Sequence, residues 1–311
     1  MIRRTALAAG LATAVLSLLA SFLTGPAHAA QPSYVALGDS YSSGVGTRSY
    51  IDDGTSCQRS VYAYPSLIAA AKHYALNFRA CSGATVADVT NSQLSALRSS
   101  TSYVTISVGG NDAGFADVLT ECAQPWWSSD CDGAIDDAQY FIDNVLPGRL
   151  ATLYASIRAR APYAVVVVVG YPRIFMGEDC NAATWFSPAE EQRLNETADL
   201  LNSRTSAQAS AKGFGFANPT SRFVGHAVCD DVEWINGLSN PISESYHPNR
   251  AGQSSGYTPT VSPLLTGSTV KVNARTLRAA QASAAELAVQ QRQYADLDRG
   301  IEPETFAIPV G

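Results

Sequence analysis

Five consecutive valines, Val165 to Val169, constrain the fold more than any other stretch of the chain. A strand with one wet face alternates polar and apolar residues. An unbroken β-branched run instead suits a strand covered on both faces, as in a parallel sheet sandwiched between helices. Four further runs fit the same sheet: Tyr34 to Leu37, Leu76 to Arg79, Tyr103 to Val108 and Phe214 to Ala217. Helical patterns lie between them at Pro65 to Tyr74, Val86 to Leu97, Asp136 to Arg160 and Pro188 to Lys212. The last opens with Ser187 as a cap and Glu190 and Glu191 in its first turn, both favourable at a helix N-terminus. The βαβα order predicts an α/β fold, a three-layer α/β/α sandwich with chemistry at the carboxyl ends of its strands. No internal repeat or long linker interrupts it, so one domain of roughly 235 residues is expected.

The first residues follow another logic. Arg3 and Arg4 precede an apolar run from about Ala6 to Leu23, then Gly25-Pro26 and the small-residue triplet Ala27-His28-Ala29. This pattern predicts a secretory signal peptide over residues 1–29, removed before Ala30, rather than a retained anchor. Its loss leaves 19 basic against 27 acidic side chains, a net charge of -8. Such a surface lacks the basic surplus that phosphate backbones demand, so no nucleic-acid partner is expected. No later stretch is apolar and long enough to span a bilayer.

Export changes the meaning of the six cysteines, Cys57, Cys81, Cys122, Cys131, Cys180 and Cys229. Outside the cytoplasm they can form three disulfides without remainder, although sequence alone permits fifteen pairings. Pairing neighbours closes the shortest loops. There is no Cys-x-x-Cys, and one of the four histidines lies in the leader, so neither a metal nor any other cofactor is expected.

Three strand ends carry the chemistry. Gly38-Asp39-Ser40 follows the first strand, and a serine there can point its hydroxyl into a cleft while its own amide faces an oxyanion. Gly-Asp-Ser alone is weak, since an ordinary Asx turn has the same composition. Cys81-Ser82-Gly83 follows the second strand, where Gly83 can bring its N–H close to a ligand. Gly109-Gly110-Asn111-Asp112 follows the third, and Asn111 can donate its amide to developing negative charge. A serine nucleophile needs a base. His73 ends an apolar helix and reads as structural; His226 reads as a surface or packing residue. His247 stands in Glu244-Ser245-Tyr246-His247-Pro248, on a loop before a C-terminal helix, with a carboxylate three residues away to orient the ring.

Together these segments resemble the SGNH, or GDSL-type, hydrolase family and its secreted bacterial lipase, esterase and phospholipase members. The resemblance runs from about Tyr34 to Leu265. It implies a five-stranded, flavodoxin-like parallel sheet, Ser40 as nucleophile, His247 as general base, and an oxyanion hole made by Ser40 N–H, Gly83 N–H and the Asn111 amide. It also implies disulfides between neighbouring cysteines. Tyr41 replaces the leucine of the family's short name, a tolerated flank. Glu244 stands where the family usually has aspartate, and its extra methylene leaves two arrangements open. Either Glu244 completes a triad, or the main-chain carbonyl of Ser245 holds the tautomer in a Ser40/His247 dyad.

The resemblance implies a secreted lipase or phospholipase A that hydrolyses acyl esters of lipids, with sn-1 selectivity as the finer reading, an ester or phospholipid substrate met at a lipid interface, and a monomer.

 Each comes from the resemblance and none from composition. A carbohydrate O-acetyl esterase is the alternative enzyme, and a non-catalytic surface-binding protein on a hydrolase scaffold is the alternative of another class; intact Ser40, Asn111 and His247 speak against the latter. Phe115, Trp126, Trp127, Ile174, Phe175, Trp185 and Trp234 are candidates for an acyl groove or for packing. The catalytic domain is expected over residues 30–266, with 267–311 a helical extension, rich in Ala, Gln and Arg between Val270 and Tyr294, to which no chemistry is assigned.

Overall fold

The computed structural model describes residues 30–303 and 305–308; the expected leader, residues 1–29, lies outside the described residues. Five parallel strands form one sheet: β1 (Ser33–Gly38), β2 (Ala75–Phe78), β3 (Tyr103–Ser107), β4 (Val165–Val169) and β5 (Gly215–Ala217). Their order is β2-β1-β3-β4-β5, the flavodoxin-like order of a doubly wound sheet. Val166 to Val169 are buried, and only Val165, at the strand's start, is half exposed. Helices Tyr64–Lys72 and Thr258–Thr266 pack together on one side, and Cys131–Asn144, Leu146–Arg160 and Pro188–Ala211 on the other. The long helix begins as its sequence foretold, with Ser187 and Glu190 forming a reciprocal capping box.

Two helical expectations need correction. Asp136 to Arg160 is not one helix: Cys131–Asn144 ends, Val145 intervenes, and Leu146–Arg160 begins with Pro147 in its first turn. A proline there has no N–H to continue the earlier ladder, and its ring would clash with the carbonyl four residues back. Val86 to Leu97 likewise divides into an α-helix, Val86–Asn91, and a 3₁₀ turn, Gln93–Ala96. The break sets Gln93 against the end of β1. Its Nε2 donates to Gly38 O at 2.8 Å and its Oε1 accepts from Gly38 N at 2.7 Å, fixing the backbone just ahead of Asp39 and Ser40.

The chain beyond Gly267 belongs to the same compact unit as the sheet. Helix Ala274–Ala282 packs on Tyr64–Lys72, and Ala284–Arg292 packs on β2. Further on, Asp298 is fully buried between two arginines. Arg59 Nη2 and Arg79 Nη2 each lie 2.6 Å from its carboxylate, and Arg59 Nη1 also reaches Asp53 at 2.6 Å. The residues after 266 thus pack on this unit through Ala280, Leu287, Ala288 and Asp298, while most of their other side chains face outward. Among the described residues, no helix is long and apolar enough to cross a membrane.

Candidate active site

The site assembles where β1, β2 and β3 end. Gly38 takes φ +120°, and a Cβ there would lie 2.3 Å from Ser107 O, so only glycine lets β1 turn this close to β3. Asp39 then caps the short helix Ser40–Ser43 by accepting from Tyr41 N. Its carboxylate also accepts from Ser107 Oγ at 2.6 Å and from Tyr171 Oη. Burial pushes Asp39 up to about 6, while the bonds from Ser107 and Tyr171 pull the other way. Sequence reading missed this support because Ser107 and Tyr171 meet Asp39 only across the sheet.

Ser40 Oγ lies 2.9 Å from His247 Nε2, and His247 Nδ1 lies 2.8 Å from Ser245 O. Burial lowers His247 to about 4, opposed by its bond to the Ser245 carbonyl. The ring is thus neutral at ordinary pH. With Nδ1 donating to a carbonyl, which can only accept, Nε2 is left as the acceptor facing Ser40.

Glu244 does not hold the ring. It ends the 3₁₀ turn Ile242–Glu244, and its Oε1 accepts from Tyr50 Oη. Its Oε2 is buried without a hydrogen-bond partner. Of the two arrangements the sequence left open, the Ser245 carbonyl occupies the orienting position, because the backbone reaches Nδ1 while the longer acidic side chain turns toward Tyr50.

Gly83, at φ +80°, and Asn111 line a common cavity with Ser40 and His247. Asn111 Nδ2 donates to Ala84 O at 3.0 Å, which fixes the amide and leaves its second N–H free for a ligand. A second cavity of about 70 Å³ opens beside Ser40. Its apolar wall includes Phe115, Val118, Ile142, Ile174, Leu194 and Leu201. Among the groove candidates, Phe115 and Ile174 line it. The others do not: Phe175 packs on Phe186 and Tyr246, Trp234 stacks on His226, and Trp126, Trp127 and Trp185 are exposed. His226 Nδ1 is engaged by Val232 O, His73 ends its helix in a left-handed conformation, and neither lines the cavities that hold Ser40.

Residues 36–254 match the model of the GDSL-like lipase/acylhydrolase family. The chain belongs to that family. This family member is 45% identical over 266 residues to Lipase 1 of Streptomyces coelicolor, covering 83% of this chain and 97% of the relative. It is 44% identical to the lipase of Streptomyces rimosus, with 73% and 84% covered. Among solved structures, phospholipase A1 from Streptomyces albidoflavus superposes with a TM-score of 0.71 at 44% identity, covering 75% of this chain and 98% of that one. The GDSL-like chain is a carboxylic ester hydrolase. Its cysteines pair as Cys57–Cys81, Cys122–Cys131 and Cys180–Cys229, neighbour with neighbour.

Proposed function

We propose that this hydrolase cleaves acyl esters of lipids, as a secreted lipase or phospholipase A, through an acyl-Ser40 intermediate. One observation carries the reading: a serine at hydrogen-bond distance from a neutral histidine borders an apolar cavity. His247 Nε2 takes the proton from Ser40 Oγ as the oxygen attacks the ester carbonyl. The Ser245 carbonyl accepts from Nδ1–H throughout and stabilises the imidazolium. Ser40 N–H, Gly83 N–H and Asn111 Nδ2 receive the oxyanion. The imidazolium then protonates the leaving alcohol, and water, deprotonated by the same ring, releases the acyl group. The apolar cavity holds the acyl chain. Relatives named as lipases and a phospholipase A1, and the exposed Trp126 and Trp127, support a substrate met at a lipid surface. Three disulfides favour an oxidising, extracellular setting.

Release assays on p-nitrophenyl esters of increasing chain length, triglyceride emulsion and phosphatidylcholine test the substrate class. Turnover of long-chain or phospholipid substrates is the expected result, with product analysis assigning sn-1 or sn-2 cleavage; activity confined to acetate would contradict it.

Two single substitutions probe the parts. Asn111→Ala is expected to lower kcat by on the order of a hundredfold, and an unchanged kcat would remove Asn111 from the oxyanion hole. Glu244→Gln is expected to change kcat less than about threefold, since its carboxylate does not touch the ring; a loss approaching the roughly 10⁴-fold cost of removing a true orienting acid would restore the triad.

The depressed His247 value sets the pH dependence. Protonation disables the base, so kcat/KM of the free enzyme should hold as pH falls through the ordinary histidine range and decline only on approaching about pH 4. An acid limb centred near 6.5 would contradict this. The same burial makes His247 a stability liability in acid: between its ordinary value and about 4, the unfolded chain binds a proton the folded chain refuses, so this contribution falls as pH falls.

A further inference from the structure

The end of the chain, beyond the residues matched by the family, lies over the catalytic pair. Asp298 is its anchor, gripped by Arg59 and Arg79. Gly300 follows, with open space where a side chain would start. Ser56 Oγ then donates to Ile301 O at 3.2 Å. The Glu302 carbonyl oxygen comes so near Gly83 that a Cβ there would sit 2.0 Å from it. Phe306 is buried with its ring 5.1 Å from Tyr246, and it lines one cavity with Ser40, Gly83, Asn111 and His247. Past it, Ala307 N donates to Thr120 Oγ1 at 3.0 Å. Thr120 stands on helix Phe115–Cys122, which supplies Phe115 and Leu119 to that same cavity.

With this strap in place the cavity over Ser40 has a volume of about 10 Å³, room for about one water molecule. Ser40 and His247 are only 6% and 7% exposed. Ser40 still borders the apolar 70 Å³ cavity, but the space it shares with His247 and Gly83, where the ester group must sit to react, is too small for one.

We propose that residues 301–303 and 305–308 act as an intramolecular inhibitor: they place Phe306 and the Glu302 carbonyl over Ser40, Gly83 and His247, and must swing away about Gly300 before an acyl ester enters. This rests on the reading of Ser40 and His247 as the catalytic pair. The anchor and the strap have separate tasks. Asp298 is locked by buried charges and stays, whereas the strap is tied by the two side-chain to main-chain bonds at Ser56 and Thr120 and by the buried side chains of Ile301 and Phe306. An acyl chain competing for the apolar space that Phe306 fills would favour the open form, and the observed rate is scaled by the open fraction.

The test uses the full-length, disulfide-bonded protein and its full-length variants Phe306→Ala, Phe306→Asp and Thr120→Ala. The rate of Ser40 modification by a fluorophosphonate is followed by intact mass, alongside p-nitrophenyl acetate and butyrate hydrolysis, with thermal melting as the check on folding. Both Phe306 variants are expected to react roughly tenfold faster or more than the parent, as release of a mostly closed form requires. Thr120→Ala, which leaves the core untouched, is expected to shift the rate in the same direction. Equal or slower labelling in all variants, with Ser40 still modified, would overturn the strap alone and make the segment a wall of the substrate site or a bystander. Failure of parent and variants alike to label at Ser40 would overturn the catalytic pair and the strap with it.

Discussion

Ser40→Ala is expected to reduce ester turnover by roughly 10⁵-fold or more, since removing the nucleophile of a Ser/His unit costs about as much as removing the unit. The fold should survive. Ser40 is small, and its hydroxyl makes one side-chain bond, to His247; losing it costs about 1 kcal/mol. Initial rates on a p-nitrophenyl ester, read beside thermal melting, check both halves. Turnover within tenfold of the parent in a protein that melts normally would require another nucleophile.

Asp298→Ala should produce the largest loss of stability. It strips two buried guanidinium groups of a shared partner. Arg59 keeps Asp53 at 2.6 Å, but Arg79 keeps only neutral company, with Gln291 Oε1 at 3.1 Å and the Tyr294 ring at 4.0 Å. Breaking a buried ion pair from one side costs about 3–5 kcal/mol, which for a chain of this size lowers Tm by roughly 10 °C. Urea unfolding with the disulfides intact measures it, and a loss below about 1 kcal/mol would show that water or a rearranged side chain replaces the carboxylate.

Much of the site was legible because its parts sit at strand ends. Ser40, Gly83 and Asn111 each follow a short β-branched or aromatic run, and a parallel sheet gathers such ends on one edge. His247 stood out as the histidine on a loop before a helix signal. What sequence left open was local: whether Glu244 or the Ser245 carbonyl meets Nδ1 depends on how one short turn aims a side chain. What it missed was distant. Arg59 and Asp298 are 239 residues apart, and no periodicity links them, so the tail read as an appendage. The split at Val145 was readable in principle, since Pro147 marks a helix start as well as a break.

The acyl-Ser40 intermediate can be observed directly. Acid-quenching the enzyme during turnover of a p-nitrophenyl ester and mapping the modified peptide by mass spectrometry should place one acyl group on Ser40, in a yield matching the burst of p-nitrophenol, and none in Ser40→Ala. A burst-free reaction with no acylated peptide, or an acyl group on any other residue, would contradict covalent catalysis at Ser40.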